Sequence, residues 1–466
     1  MDFRAHTIAE LAADVNEGRR TAESLVQAAL QNIADHDATL NAFCAVDAER
    51  ALASASAIDA AIQAGERYPL AGIPFGVKDL EDAEGYVTTY GSSFHVDDAP
   101  ASSDSVLVAR LRAAGAVVVG KTNTPEFGYK GKTDNVPFGA SKNPWNIERS
   151  PGGSSGGSAA AIAAGMIPLA TGSDGGGSIR IPAAVCGLPG FKSSQGRVPN
   201  GGPKPTGSGL LTVKGPMTYR TEDVILAMEC CLGDEKSDLF ALPAPVHSWV
   251  ETINGQLPER VIWSPTMGIT TVDADVRAVC ESAIDQLRAA GVEVIELDDI
   301  WDTHPFKAWI VFWTAARARA QGHLRGTPEW ENIDEALRPQ IEMGLDAFGA
   351  ADYALAIDQC HLLNIQLEKA FEQAPIILTP TTRGHVPGIE GDGFVDGEET
   401  ADWVAFTMGI NMTRNPAGSL PIGLAKDGMP IGMQVIGRQR EDEAVLDAML
   451  AMERVFEFDQ QASFPS

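Results

Sequence analysis

Residues 151–182 read P-G-G-S-S-G-G-S-A-A-A-I-A-A-G-M-I-P-L-A-T-G-S-D-G-G-G-S-I-R-I-P. Two glycine-serine clusters, 152–158 and 172–178, bracket an apolar, alanine-rich run. Glycine weakens regular structure and is useful where backbone must bend sharply or approach another group closely. Two such clusters around one apolar segment point to a site where backbone N–H groups do chemistry.

Upstream of this stretch, Thr7 and Glu10 are spaced as a capping box before a helix. A second helix is expected from about Thr21, with Leu25, Val26, Ala29, Leu30 and Ile33 on one face, and a third ends near Gly65. The segment Ile73-Pro74-Phe75-Gly76-Val77-Lys78-Asp79 is strand-like and delivers Lys78 and Asp79 at its end. A helix at 105–114, stopped by Gly115, leads into an apolar strand at 116–119 and then a loop at 120–123. Strand and helix alternate here as in a sheet covered by helices.

Downstream, 190–209 reads as loop, 221–232 as helix and 233–257 as irregular. Strands are expected at 260–263, 292–297, 376–379 and 432–437. Helices are expected at 274–290, 350–373 and 441–456, with an aromatic-striped helix at 301–325 that carries Trp301, Phe306, Trp309, Phe312 and Trp313. No internal repeat is visible.

The 466 residues hold 44% hydrophobic and 21% charged residues, enough for a large core without metal or disulfide support. The net charge of −28 disfavours nucleic-acid backbones and anionic membranes as partners. Six cysteines without C-x-x-C spacing read as reduced, which suggests a cytoplasmic protein; Cys186 reads as a small core residue. The first residues show no basic region followed by an apolar one, so no signal peptide is expected. The apolar run 159–170 is too short for a membrane span and is broken by Gly165 and Pro168.

No zinc-binding H-E-x-x-H and no phosphate loop is present, and no metal or cofactor is expected. Residues 152–156 satisfy G-x-S-x-G, but a nucleophile elbow needs a buried strand before it, and 143–151 is polar and bounded by prolines. The eight histidines are scattered. A serine can instead be activated by a buried lysine, whose amine desolvation makes neutral. Lys78 ends an apolar segment and suits that task. Gly175, Gly176 and Gly177, directly before Ser178, have the composition of an oxyanion hole.

These residues resemble the amidase signature family. Segments 152–158 and 172–182 are similar to its glycine-serine signature, and 73–79 to its lysine segment. Gly120-Lys121-Thr122-Asn123 and Asn143-Pro144-Trp145 resemble its approach to the serine loop; 378–381 and 432–437 resemble its C-terminal strands. The resemblance is strong over about 70–200 and looser after 250.

It implies a Ser–cis-Ser–Lys triad. Ser178 is then the nucleophile, Ser154 the bridging serine after a cis Gly153–Ser154 peptide, and Lys78 the base. The backbone of Gly175, Gly176, Gly177 and Ser178 forms the oxyanion hole, with Ser155, Asp174 and Arg180 in support. The implied fold is a single α/β/α sandwich with a large mixed sheet flanked by helices. One domain then spans 1–466: a helical segment to about 66, a catalytic core at about 67–235 and a substrate-pocket half at about 236–466. Gly128, Tyr129, Trp309, Trp313 and Arg414 are the candidate substrate-binding residues.

Three functions are weighed. The first is a stand-alone hydrolase of small carboxamides, monomeric or homodimeric, also able to cleave esters or carbamates. The second is the A-type glutaminase subunit of a glutamyl-tRNA amidotransferase. The third is a catalytically silent binding protein, disfavoured by the intact Lys78, Ser154 and Ser178. The helix 356–369 lacks an arginine for a glutamine carboxylate, and the tryptophan-rich 301–313 suggests an apolar or aromatic substrate. Arg414 stands where the family pattern has glycine, and is a candidate contact for an anionic substrate.

Overall fold

A computed structural model describes residues 1–204 and 211–463. The strands are β1 (Phe43–Val46), β2 (Pro74–Lys78), β3 (Val117–Thr122), β4 (Leu169–Asp174), β5 (Gly190–Lys192), β6 (Val213–Thr218), β7 (Arg260–Trp263), β8 (Glu293–Glu296), β9 (Ile377–Pro380), β10 (Gly393–Val395), β11 (Glu398–Thr400), β12 (Ala417–Leu424) and β13 (Pro430–Ile436). They form the expected mixed α/β fold with helices over the sheets. Their hydrogen bonding, however, divides them into two main ladders and one small hairpin, β10–β11. The five-stranded sheet has the order β1-β3-β2-β4-β6, and the six-stranded sheet β5-β12-β13-β9-β7-β8. Edge strands β5 and β6 lie side by side where the two sheets meet. β5, although it follows the second glycine-serine cluster, is an edge of the sheet built from the C-terminal half.

The chemistry is placed by the middle of the first sheet. β2, β3 and β4 are parallel and buried along their whole lengths. Parallel strands covered on both faces read as apolar runs, and β2 and β3 do. β4, L-A-T-G-S-D, does not, and sequence patterning passed over it. Its register beside β2 sets Phe75 opposite Leu169, so both strands run out towards the same edge. Lys78 leaves the carboxyl end of β2, and Ser173 and Asp174 leave that of β4. Ligand sites in such sheets lie outside the carboxyl ends of the strands.

The Thr7–Glu10 capping box is present, and the second helix, Ala22–Leu40, is capped by Thr21. Other expectations need correction. β3 continues through Gly120, Lys121 and Thr122, which the sequence read as loop, because Lys121 is buried and paired with Asp79 at 2.9 Å. The stretch read as loop at 190–209 contains β5; its residues 205–209 lie outside the described ones. The aromatic helix is Phe306–Gln321, shorter than 301–325. Pro305 suits a helix start, and Trp301 lies ahead of it, buried, with its Nε1 donating to the Leu363 carbonyl at 3.1 Å. Among the described residues no helix is long and apolar enough to cross a membrane.

Candidate active site

Lys78 is buried at the end of β2 and surrounded by hydroxyls. Its Nζ lies 2.8 Å from Ser154 Oγ, 2.8 Å from Ser155 Oγ and 3.0 Å from Ser173 Oγ. A neutral amine offers two N–H donors and one lone pair, and an ammonium offers three donors. Three hydroxyls, each able to give or accept, satisfy either state. Burial pulls the Lys78 pKa down to about 7, with the charges of Asp174 and Glu81 offsetting only part of the effect. Ser173 completes this cluster and was not singled out from sequence, although it stands in the second glycine-serine cluster.

The Gly153–Ser154 peptide is cis. Ser155 links the two glycine-serine clusters: its N–H donates to the Ser178 carbonyl at 3.2 Å, and its Oγ accepts from the Ser173 N–H at 3.3 Å. Ser178 and Ser154 both face a cavity of about 830 Å³, which Ser173 and Gly128 also line. Gly128 has φ +68°, and a side chain there would press on Leu80 and lie 3.2 Å from Ser154 Oγ.

The loop between β4 and Ser178 is held from both sides. Asp174 is buried and accepts from the Gly177 N–H at 2.7 Å. Arg180 grips the same carboxylate through Nε at 2.9 Å and Nη2 at 2.8 Å. Burial alone would raise this carboxyl, but Arg180 outweighs it and holds the group well below the usual carboxylate range. Arg180 also donates to Gln434 Oε1 at 2.6 Å and Asn411 Oδ1 at 2.7 Å, which ties the loop to the C-terminal half. On the outer side, Trp309 Nε1 donates to the Gly175 carbonyl at 3.0 Å and Thr407 Oγ1 to the Gly176 carbonyl at 2.5 Å. A Cβ on Gly176 would come within 2.8 Å of Trp309 Cζ2. The Gly177 N–H is thus turned inward to Asp174, unlike the outward donor its composition suggested. Thr407, Asn411 and Gln434 were not assigned from sequence, because each comes from a segment remote from the loop it braces.

The candidate pocket residues divide. Trp313 lines the cavity, whereas Trp309 does not and stacks behind it with ring centroids 4.9 Å apart. Tyr90 and Phe127 also line the cavity, 6.3 Å apart; neither was expected. Tyr129 is buried away from it, beside Lys130, while its neighbours Phe127 and Gly128 face it. Arg414 is exposed, lies 5.7 Å from the Phe240 ring and does not line the cavity. Its φ of +61° explains why glycine suits that position. Among the described residues no group of three or more His, Cys, Asp or Glu side chains is placed to hold a metal ion.

Comparison with known proteins supplies the family. A family model described as Amidase matches residues 24–446. The chain is 34% identical over 468 residues to an acylamidase of Rhodococcus erythropolis, covering 96% of this chain and 94% of that one. It is also 34% identical over 480 residues to the A-type subunit of the glutamyl-tRNA(Gln) amidotransferase of Roseiflexus castenholzii, covering 96% and 95%. In structure it is similar to a bacterial aryl acylamidase of the amidase signature family, with TM-score 0.90 and 27% identity over 97% of this chain and 96% of that one.

Proposed function

The chain belongs to the amidase family and is an amide-hydrolysing enzyme; from that premise we propose a stand-alone amidase in which Lys78, Ser154 and Ser178 form the catalytic relay. The observation that carries this reading is the contact between a buried Lys78, its pKa lowered to about 7, and Ser154 Oγ at 2.8 Å, with Ser154 sharing its cavity with Ser178.

Ser178 Oγ attacks the amide carbonyl. Its proton passes to Ser154, whose own proton passes to the neutral Lys78 amine. Negative charge developing on the carbonyl oxygen is met by backbone N–H groups of Gly175, Gly176 and Ser178. Gly177 serves indirectly, by holding the loop against Asp174. The protonated Lys78 then returns its proton through Ser154 to the leaving amine, which departs and leaves an acyl-Ser178. Water enters, the same relay takes its proton, and the acid is released. Ser155 and Ser173 hold the amine in place in both protonation states.

A small apolar or aromatic carboxamide suits a cavity lined by Trp313, Tyr90 and Phe127, and esters with good leaving groups fit the same chemistry. The unpaired state of all six cysteines accords with a reducing, cytoplasmic setting. Similarity to the A-type amidotransferase chains keeps one rival reading, a glutaminase that needs a partner chain. The purified chain should be labelled at Ser178 by a fluorophosphonate probe, and should hydrolyse a small amide without partner, tRNA or ATP. Labelling at Ser154 instead would overturn the relay. Glutaminase activity appearing only with a partner chain would favour the rival reading.

A further inference from the structure

The charges around the cavity are not all paired. Four carboxylates line it, and each is engaged. Glu81 meets Lys214 at 2.8 Å and Asp82 meets Lys204 at 2.6 Å, with both lysines also on the cavity. Asp98 is held by His95 at 2.7 Å, and Asp104 by Arg112 at 3.0 Å. Two cations on the cavity, Arg317 and Arg319, have no carboxylate partner among the described residues. Arg319 is exposed and solvated. Arg317 is not, and its Nε is buried without a hydrogen-bond partner among the described residues. In a chain with 63 acidic against 35 basic side chains, a cation left unmatched inside the pocket stands apart from the general pattern.

Arg317 also lies close to the chemistry. Its guanidinium sits 4.5 Å from the centre of the Trp313 ring. That ring packs on the loop before Ser178: a Cβ on Gly175 would be 3.1 Å from Trp313 Cζ3. One indole therefore separates a half-buried cation from the backbone that meets the scissile carbonyl. Burial lowers the Arg317 pKa to about 10, so it stays charged at neutral pH. A buried N–H without a partner is costly, and a guanidinium presents a planar fork that matches a carboxylate.

We propose that Arg317 anchors a carboxylate carried by the substrate, set across an aromatic or apolar spacer from the amide that is cleaved. This rests on the amidase reading and names its substrate class: amides that keep an anionic group remote from the scissile bond. Trp313 packs against the spacer, and Arg317 fixes its far end. Arg414, exposed and outside the cavity, does not serve this purpose.

The test separates binding from turnover. Calorimetry on Ser178→Ala with 4-carboxybenzamide and benzamide compares the same amide with and without the charge. The carboxylate should tighten binding by about 10- to 100-fold, the range for a hydrogen bond to a charged group. In Ser178→Ala/Arg317→Met that ratio should fall towards one, and Arg317→Lys should recover part of it. Equal affinity of the two amides, no binding of either, or a ratio that survives Arg317→Met overturns the proposal. In the active enzyme, kcat/KM for 4-carboxybenzamide against benzamide, and for 4-acetamidobenzoate against acetanilide, tells whether the charge belongs to the acyl or the amine side; no preference in either pair counts against it. Fluorophosphonate labelling of Ser178 decides the amidase reading separately, so that an active amidase indifferent to charge defeats only this inference.

Discussion

Two surfaces meet at the cavity, and they are built differently. The floor, formed by Lys78, the two glycine-serine clusters and Asp174, is made of polar groups with several partners each. The wall, formed by the helix Phe306–Gln321, presents Trp313, backed by Trp309, beside Arg317 and Arg319, groups with few partners. Lys78 Nζ has three hydroxyl neighbours and the Asp174 carboxylate meets Gly177, Arg180 and Asn411. Trp309 and Trp313, by contrast, each donate one hydrogen bond and otherwise stack. A buried polar network must be fully satisfied to be stable, which leaves it little freedom to vary. An aromatic wall tolerates change because dispersion has no strict geometry. On the proposed reading the floor carries the reaction and the wall the choice of substrate.

The severest way to break the floor is to remove its hydroxyl or its amine. Ser178→Ala should lower amide kcat by about 10³-fold or more, since the nucleophile acts as one unit with its base. Lys78→Ala should do the same for amides, and Lys78→Arg should do no better, because guanidinium is a poor base. Activated esters should fall less with Lys78→Ala, as their leaving groups need no proton. The Lys78 amine must be neutral to work, so kcat/KM should rise with pH through about 7 and level off above it. Near-normal amide turnover by Lys78→Arg, or a profile falling through neutral pH, would contradict the assignment.

Next in size is the brace beneath the loop. Asp174→Asn removes the charge that neutralises Arg180 and leaves a buried cation. Breaking such a pair costs about 3–5 kcal/mol. Urea unfolding should show a lower midpoint with an unchanged slope, and the turn carrying Gly177 should loosen. Stability equal to that of the parent would mean that Asn411 and Gln434 hold Arg180 unaided.

The same contrast decides how much could be read from sequence. Lys78, Ser154, Ser155, Asp174, Ser178 and Arg180 fall in contiguous motifs, because tight turns demand glycine beside them. Their cluster assembles from the ends of neighbouring strands β2 and β4. Thr407, Asn411 and Gln434 reach the same loop from more than 220 residues away, and nothing local marks them. Patterning gave no strand at β4 because its residues serve the site as well as the sheet. On the wall, periodicity found the aromatic helix but could not say which rings face the cavity; Tyr129 and Phe127, two residues apart, face different ways.

Where wall touches floor, a smaller effect is expected. Trp309→Phe keeps the stacked ring but loses the bond to the Gly175 carbonyl. A neutral hydrogen bond contributes about 1 kcal/mol, so kcat should fall about fivefold. The loss should appear in kcat more than KM if Gly175 orients the oxyanion donors. A change confined to KM would make Trp309 a contact for substrate alone.

The smallest effect belongs to Arg414, which belongs to neither surface. Its φ of +61° places it in the left-handed region, where a side chain costs about 1–2 kcal/mol relative to glycine. Two terms oppose a gain from Arg414→Gly. Glycine loses more chain entropy on folding, about 0.5–1 kcal/mol, and the contact with the Phe240 ring is worth about 0.5–1 kcal/mol at an exposed site. These nearly cancel, so the melting temperature should move by only a few degrees at most. Because the side chain lies outside the cavity, kcat/KM for both 4-carboxybenzamide and benzamide should stay within about twofold, a change of less than 0.5 kcal/mol. A selective tenfold loss on the carboxylate would return Arg414 to the pocket and take the anionic contact from Arg317. Equal retention on both amides leaves the wall, and not the C-terminal strand region, as the place where substrate is chosen.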